Sequence, residues 1–422
     1  MGNFIGVLGI VVILAIAVLL SSNRKAINLR IVGAAFALQA VTAVVVVYSS
    51  AGKAIIESMS NGVQHVMNYS REGIEFVFAG LAGDGYLIAA EGDVLTRGDS
   101  IWSFAINVLP IIIFFSALTS VLYHLGIMQI IVKAVGGALR WVIGTKAVES
   151  VNAAANIFIG QTEAPLVVRP YLKSLTEPQL FTVMVSGVAS VAGTVLFAYY
   201  QMGAELKYLL AASFMAAPGG LLMAKIMMPD DDEESADEDN AHLEMAASEH
   251  ENVILAAAVG TSDGVRLAVN IGAMLLTFIA LIAVVNGIVG GVAGLVGIED
   301  LSLQKILGWV FSPMMYLLNI PWSEAQAAGS LFGEKIILNE FVAYSHMNEY
   351  LMGMSETTKA IVTFSLCGFA NLSSIAILLG GLGSLVPEKR ELIARFGLKA
   401  VAAGSLSNLM SAALAGILLN LG

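Results

Sequence analysis

The sequence has few charged residues and almost no cysteine. Lys, Arg, Asp and Glu together make up 13% of its 422 residues, against about 25% in an average soluble domain. Cys367 is the one cysteine, which excludes a disulfide within the chain. The five histidines are scattered, with no pair at the spacing of metal ligands on a helix. A zinc or di-iron site is therefore not indicated.

Long apolar runs are what the sequence does have. Hydrophobic residues make up 57% of the chain, and runs such as Phe4–Leu20, Ile31–Tyr48 and Ala400–Leu419 approach the about 17–25 residues that span a bilayer. The first run is followed by Ser21–Lys25 rather than by a small-residue cleavage site, so we interpret it as a retained helix. These runs predict an all-α polytopic membrane protein.

The placement of Lys and Arg predicts eight spans with both termini outside, because basic residues concentrate in the loops assigned to the cytoplasm. The predicted spans are Phe4–Leu20, Ile31–Tyr48, Phe104–Val132, Leu180–Tyr200, Tyr208–Met228, Leu267–Val289, Thr358–Leu382 and Leu398–Leu419. Residues 50–100 are more polar and predict a short surface helix and an outside loop. A short amphipathic piece is expected at Gly136–Thr145.

The net charge of −11 comes from one acidic stretch. Asp230–Glu251 carries many acids and no Lys or Arg, and without it the chain is formally neutral. A nucleic-acid partner is therefore not indicated. Such a composition predicts a solvated, disordered loop.

One polar stretch interrupts the apolar pattern in the first half of the chain. Gly160 precedes the triplet Gln161, Thr162 and Glu163, and Pro165 follows it, so a continuous helix is not expected here. Within a bilayer, non-helical backbone occurs only where it is buried in protein or lines a cavity. We interpret this stretch as the tip of a re-entrant hairpin that holds a small polar ligand.

The second half repeats this arrangement. A second interrupted region, Ala325–His346, carries Asn339 and Glu340, and the span after it contains Cys367–Ser374. The second unit would start on the opposite side of the membrane from the first. Inverted repeats with matching interrupted segments are typical of secondary transporters. The alternative is chance similarity between apolar segments.

Glu163 and Glu340 are the strongest single candidates for function. A carboxylate inside a bilayer costs about 2.5–3.5 kcal/mol on insertion scales, so it needs a reason to be there. The alternatives are a hairpin tip that reaches the headgroups, or an internal pair with Lys335. Ser190 and Asn371 each follow small residues, which favours either an unwound helix that binds solute or plain helix packing.

Three segments resemble the signature segments of the concentrative nucleoside transporters. They are Gly160–Leu166, Asn339–Tyr344 and Cys367–Ser374, and the resemblance extends over nearly the whole chain. It implies homotrimers with eight transmembrane helices and two re-entrant hairpins, interrupted helices four and seven, and an elevator movement. The implied division is a scaffold of residues 1–132 and 266–302, a transport domain of residues 133–229 and 303–422, and an acidic cytoplasmic loop of residues 230–265.

The resemblance also implies the ligands. The base-binding positions would be Gln161, Thr162, Glu163, Val195 and Leu267, and the ribose-binding positions Glu340, Phe369, Asn371 and Ser374. The sodium ligands would be the side chains of Asn156 and Ser190 and the carbonyls of Ile159 and Val191. Because both polar side chains are present, sodium coupling is favoured over proton coupling.

The sequence thus predicts a sodium-coupled symporter for a nucleoside such as uridine, and not an enzyme. It would lie among the lipids of the inner membrane with periplasmic termini, and act without a nucleic-acid partner. The alternatives are a proton-coupled nucleoside symporter, a membrane-embedded nucleoside-processing enzyme and a passive channel.

Overall fold

The computed structural model describes residues 2–82, 86–87, 96–97, 103–230, 250–295, 297–298 and 300–421. These residues are almost entirely helical. The exception is a small antiparallel ladder in which Tyr86–Leu87 (β1) pairs with Thr96–Arg97 (β2). The predicted all-α class is confirmed. Most of the predicted acidic loop, residues 231–249, lies outside the described residues.

Packing divides the described chain into two compact units. The first draws on Met1–Ile56, Gln129–Ala247 and Phe278–Gly422, and the second on Glu57–Met128 and Ser248–Thr277. The first unit contains both hairpins and both interrupted helices.

The first two predicted spans are helices, and the next helix is longer than expected. Helix α1 covers Gly2–Leu19, α2 covers Leu29–Ala43 and continues as a π-turn to Tyr48, and α3 covers Ser50–Phe78. The Asn28 side chain caps α2 by accepting from the N–H groups of Arg30 and Ile31. The prediction of a short surface helix was wrong in length, because α3 has 29 residues.

The predicted third span was wrong at its end. The structure has α4 (Phe104–Asn107), α5 (Leu109–His124) and α6 (Ile127–Ile143), and the helix breaks at Gly126, whose φ is +77°. Glycine adopts this left-handed conformation without the steric penalty of a side chain. The piece predicted at Gly136–Thr145 is therefore the last part of a longer helix.

The first repeat consists of a broken hairpin followed by a broken helix. Its helices are α7 (Ala147–Ala155), α8 (Ala164–Val167), α9 (Glu177–Ala189), α10 (Gly193–Gln201) and α11 (Leu206–Met227). Helix α9 begins with a capping box, in which Thr176 and Gln179 each accept the other's backbone N–H. This reciprocal bond satisfies two donors at the helix start.

The predicted sixth span is part of a much longer helix. Helix α12 covers Val253–Leu295, 43 residues, and so begins within the predicted loop of residues 230–265. The Gly260–Gly264 stretch, within this predicted loop, is helical and packs against α5 in the second unit. A Cβ on Gly264 would lie 2.7 Å from the Cα of Ile113, so the glycine permits close helix contact.

The second repeat is built like the first. Its helices are α13 (Leu303–Leu317), α14 (Trp322–Ile337), α15 (Glu340–Tyr350), α16 (Glu356–Leu366), α17 (Ser373–Gly380), α18 (Leu382–Leu385) and α19 (Arg390–Leu419). Ser355 caps α16 by accepting the N–H of Thr358, as Thr176 caps α9. The two broken helices therefore start in the same way.

Six helices of the described chain are long and apolar enough to cross a membrane. They are Leu29–Tyr48, Phe104–His124, Glu177–Gln201, Leu206–Met227, Val253–Leu295 and Pro387–Leu419, and Ile5–Leu19 and Ser373–Leu385 are shorter apolar helices. The protein is a multi-pass membrane protein. In an 18-residue apolar window of Glu177–Gln201, and in one of Leu206–Met227, 94% of the residues are buried within the protein, against 22% in the window of Leu29–Tyr48. The first repeat thus forms much of the core.

A polar contact joins α2 to the core of the first unit. The buried Gln39 amide donates to Ser411 Oγ on α19 at 3.0 Å. Gly219 on α11 lies beside it, since a Cβ there would overlap the side chains of Gln39 and Ser407. Ser407 stands one helical turn before Ser411 on the same helix.

A buried ion network ties the first hairpin to α11. The Lys225 ammonium donates to Glu149 Oε1 at 2.6 Å and to Asp230 Oδ1 at 2.7 Å. Glu149 is fully buried and Lys225 almost so, whereas Asp230 is partly exposed. The network fixes the first arm of the hairpin to the end of α11.

Candidate functional site

The first hairpin breaks where the sequence predicts. Helix α7 ends at Ala155 and α8 begins at Ala164, so the tip carries the predicted polar triplet. Gln161 is buried, and its Nε2 donates to Ser374 Oγ at 3.3 Å. Thr162 is half-buried and packs its methyl group against Gly381. The tip therefore contacts the second repeat.

Glu163 lies differently from Glu340. Its side chain is exposed, and its carboxylate accepts the N–H of Gly160 at 3.4 Å. For Glu163, both the alternative of a hairpin tip that reaches the headgroups and contact with a ligand stay predictions.

The broken helix formed by α9 and α10, which is the predicted interrupted helix four, packs directly on the hairpin tip. Ser190–Ala192 separate α9 from α10, and Ser190 has extended backbone angles. The Gly193 N–H donates to the carbonyl of Phe158 at 3.0 Å. Gly187 faces Gln161, where a Cβ would lie 2.9 Å from the Gln161 Cβ. The segment that contains Asn156 and Ile159 is therefore in contact with the segment that contains Ser190 and Val191.

The sodium ligands implied by the sequence are all buried here. They are Asn156, Ile159, Ser190 and Val191. The Asn156 Nδ2 donates to the carbonyl of Asn152 at 2.9 Å, while its Oδ1 has no hydrogen-bond partner among the described residues. The Ser190 hydroxyl donates to Gly187, which leaves its oxygen able to accept. Amide, hydroxyl and carbonyl oxygens are suitable ligands for a hard cation.

The second hairpin presents its carboxylate to two polar partners. Asn339 caps α15 by accepting the N–H of Val342 at 3.0 Å. Glu340 follows it and is buried. Its Oε1 accepts from the Tyr199 hydroxyl at 3.0 Å, and its Oε2 accepts from Asn371 Nδ2 at 2.9 Å. Hydrogen bonds to a charged acceptor are stronger than neutral ones, so the carboxylate is held in one orientation.

The broken helix formed by α16 and α17, which is the predicted interrupted helix seven, supplies the remaining polar groups. Cys367–Leu372 separate α16 from α17. The Asn371 Oδ1 accepts from the Ser373 hydroxyl at 2.6 Å and from the Ser374 N–H at 2.9 Å. Ser374 donates to the carbonyl of Phe369. A continuous chain of contacts therefore runs from Gln161 through Ser374 and Asn371 to Glu340.

The three apolar candidates lie in different places. Val195 is buried on α10, and Phe369 is half-buried in the break of helix seven. Leu267 lies on α12 in the second unit and is half-buried. Val195 and Phe369 belong to the segments that carry the polar site.

Sequence reasoning missed Tyr199 and Asn408. Tyr199 stacks on Tyr344 with ring centroids 4.4 Å apart while its hydroxyl binds Glu340, and an apolar span hides such a residue. Asn408 is buried and donates to the carbonyls of Ala189 and Cys367. A lone amide in a long apolar helix was the available signal.

Three family models match consecutive parts of the chain. They are described as "Na+ dependent nucleoside transporter N-terminus" over residues 8–81, "Nucleoside recognition" over residues 105–206 and "Na+ dependent nucleoside transporter C-terminus" over residues 208–416.

Curated relatives match over the full chain. Nucleoside permease NupC of Helicobacter pylori is 48% identical over 424 residues, which cover 99% of this chain and 98% of the permease. An uncharacterized transporter of Haemophilus influenzae is 50% identical over the same shares of the two chains. Sodium/nucleoside cotransporter 1 of Rattus norvegicus is 35% identical over 97% of this chain and 63% of the cotransporter.

Solved structures have the same fold. CNTnw in an inward-facing substrate-bound state gives a TM-score of 0.91 at 50% identity and covers 100% of this chain and 99% of that one. A CNTnw variant in an outward-facing state gives a TM-score of 0.92 at 49% identity, with the same coverage.

Broken apolar helices and hairpins that meet at buried polar groups define a secondary transporter. The chain belongs to the concentrative nucleoside transporter family. Its relatives are transporters and permeases, and the protein is not an enzyme. The resemblance stated from three sequence segments is thereby confirmed.

Proposed function

We propose that the protein is a sodium-coupled symporter for nucleosides such as uridine. One observation carries the proposal: the buried side chains of Gln161, Ser374, Asn371 and Glu340 form a connected set drawn from both hairpins and helix seven. Relatives named as a nucleoside permease and as sodium/nucleoside cotransporters support the choice of substrate and ion.

The polar set suits the two parts of a nucleoside. The Gln161 Oε1 is buried with no partner within the described part of the chain, so it can accept an N–H from a base. Thr162 and Glu163 follow it on the same tip, and Val195 would provide apolar contact. A solute that lacks the matching groups leaves such a site unsatisfied and is rejected.

The ribose would lie at Glu340, Asn371 and Ser374, with Phe369 beside it. The carboxylate accepts hydrogen bonds, and the amide and hydroxyl can both donate and accept them. Ribose hydroxyls need such partners, so a nucleoside would exchange bonds with Glu340 and Asn371 that these residues now make to each other.

Sodium would be bound by the side chains of Asn156 and Ser190 and the carbonyls of Ile159 and Val191. The unpartnered Asn156 oxygen supports this assignment. The Gly193–Phe158 bond links the broken helix to the hairpin tip next to these ligands. A bound ion would draw the two segments together and favour closure of the nucleoside site.

The transport step would be an elevator movement in an inner-membrane homotrimer. The proposed protomer has eight transmembrane helices and two re-entrant hairpins, with both termini in the periplasm. The transport domain of residues 133–229 and 303–422 would carry the nucleoside past a scaffold of residues 1–132 and 266–302. The high burial of the Glu177–Gln201 and Leu206–Met227 segments supports a compact moving body.

Uptake of labelled uridine into proteoliposomes tests the proposal. An inward sodium gradient is imposed in one arm and a proton gradient in the other, each with the membrane potential clamped. We expect accumulation above the external concentration with sodium only. Accumulation with protons only would keep the nucleoside site and reject the sodium site. Equilibration without accumulation would indicate a passive channel.

A further inference from the structure

Lys335 is a fully buried lysine whose hydrogen-bond acceptors are neutral. It lies in the last turn of α14, and its Nζ donates to the carbonyl of Ser365 at 2.8 Å and to Asn408 Oδ1 at 2.6 Å. Burying the polar end of a lysine is costly unless it is hydrogen-bonded. A lysine kept at this cost requires a role.

Asn408 connects Lys335 to two helix ends by hydrogen bonds. Its Nδ2 donates to the carbonyl of Ala189 at 2.7 Å and to that of Cys367 at 2.9 Å. Ala189 is the last residue of α9, and Cys367 directly follows the end of α16. Carbonyls at a helix C-terminus lack intrahelical partners and carry partial negative charge. One ammonium and one amide therefore stabilise the broken ends of both interrupted helices.

The two repeats differ at this place. In the first, Asn156 follows α7 and presents a buried oxygen without a partner in the described chain. In the second, the end of α14 presents the Lys335 ammonium, which contacts the last turn of α16 through Ser365. The first repeat thus has an unpartnered acceptor here, and the second has a buried donor.

We infer that Lys335, through these two hydrogen bonds, positions the break of helix seven. It fixes Ser365 directly and Cys367 through Asn408, and so holds the segment Cys367–Leu372 in the conformation that presents Phe369 and Asn371. Lys335 is a positioning residue for nucleoside binding, which rests on the proposed function. Its hold on the helix ends does not depend on that function.

The single cysteine of the chain provides the readout. Cys367 is buried and lies in the segment that Lys335 holds. Its alkylation by N-ethylmaleimide is measured on purified full-length protein without nucleoside. Lys335→Met removes the charge and the donors, and we expect about tenfold faster alkylation. Lys335→Arg keeps a charged donor, and we expect its Cys367 alkylation rate to lie within about threefold of that of the original protein. A tenfold change in this rate corresponds to about 1.4 kcal/mol.

Uridine uptake at saturating sodium gives a second readout. Lys335→Met should raise the uridine KM about tenfold and change the maximal rate far less, because the ammonium orients the site without touching substrate. Lys335→Arg should bring the uridine KM most of the way back to that of the original protein. A general loss of stability would lower the amount of active protein, and hence the maximal rate, without this selective change in KM.

Two further variants keep the test decisive. Asn408→Asp retains an acceptor for Lys335 but removes both donations to Ala189 and Cys367, so alkylation should again accelerate. The control Glu149→Gln with Lys225→Met removes a different buried lysine together with its partner, and should leave Cys367 alkylation unchanged.

The outcomes separate the inference from the proposed function. Unchanged alkylation in Lys335→Met or in Asn408→Asp would overturn the inference, and so would equal acceleration in the control. If Lys335→Met does not fold, Asn408→Asp alone decides. If the original protein takes up no uridine, the proposed function fails, while the alkylation rates still decide the role of Lys335.

Discussion

The backbone N–H of Phe369 donates to the carbonyl of Ser190 at 3.0 Å. Ser190, one of the proposed sodium ligands, lies in the break of helix four, and Phe369 lies in the break of helix seven, beside the proposed ribose site. The two broken segments are therefore in direct contact. We expect a shift of either one on ligand binding to be transmitted to the other through this bond.

Glu340→Ala is expected to abolish uridine uptake while the protein still assembles. The carboxylate orients Asn371 and Tyr199, and removing it deprives the substrate of its strongest acceptor. Each lost hydrogen bond to the charged group contributes about 1.5–3 kcal/mol, which corresponds to a fall in uptake of about 10- to 150-fold. Uptake is measured in proteoliposomes, and assembly by size-exclusion chromatography. Loss of assembly would make Glu340 a structural residue instead.

Tyr199→Phe tests the contact that the sequence did not reveal. The ring and its stacking on Tyr344 remain, and only the donor to Glu340 is lost. We expect the uridine KM to rise about tenfold, as for about 1–2 kcal/mol of lost hydrogen bonding. Tyr344→Phe is the matched control, because the Tyr344 hydroxyl donates to the Thr363 carbonyl and not to Glu340. An equal effect of both changes would count against a specific role for Tyr199.

Ser190→Ala should weaken sodium binding selectively. The change removes one proposed oxygen ligand and leaves the Phe369–Ser190 backbone bond in place. The sodium concentration for half-maximal uptake should rise about tenfold, since a tenfold change corresponds to about 1.4 kcal/mol. The uridine KM at saturating sodium should change little. Unaltered sodium dependence would remove Ser190 from the ligand set.

Gly193→Ala should separate the first hairpin from helix four. A Cβ at Gly193 would lie 2.7 Å from the Phe158 carbonyl oxygen, too close without a backbone shift. We expect a loss of about 1–3 kcal/mol in stability, as for overpacking, and weaker sodium binding. Gly137→Ala is the control, because a Cβ there meets nothing within 4 Å and α6 is helical at this point. Thermal unfolding of both variants, with and without sodium, measures their stability and their sodium binding.

Lys225→Met should destabilise the protein strongly, because it leaves Glu149 buried without its ammonium partner. Removing one partner of a buried ion pair lowers the free energy of unfolding by about 3–5 kcal/mol. Adding Glu149→Gln should restore much of the loss, since no fully buried charge is then left without a partner and Asp230 is partly exposed. The melting temperatures of the single and double variants give the comparison. If the double variant were no more stable than the single one, the cost would lie in packing rather than charge.

The sequence predicted the first interruption from local residues alone, because glycine and proline around Gln161–Glu163 disfavour a continuous helix, and the chain is broken there. At Ser190 and Asn371 the small residues left two alternatives, an unwound helix and plain helix packing, and the structure has a break at both places. The identity of the family was also predicted from short segments. Local chemistry fixes such features, so they do not depend on knowing the tertiary contacts.

Contacts between distant segments could not be predicted in this way. Glu163 and Glu340 have the same side chain and the same type of position, yet one is exposed and the other buried. The partners of Glu340 come from elements as far apart as Tyr199 and Asn371. Helix lengths were missed for a related reason. Polar residues between Val253 and Leu267 suggested a loop, but packing against α5 accommodates them on a helix.

The Gln39–Ser411 contact has a consequence for movement along α19. Ser407 repeats the hydroxyl of Ser411 one turn earlier, and one helical turn is about 5.4 Å. If α19 slid past α2 by that amount, the Gln39 amide would meet an equivalent hydroxyl at the end of the step. Gln39 therefore has two equivalent hydroxyl partners one helical turn apart, with the small residue Gly219 beside them. The movement would replace one bond with another of the same kind.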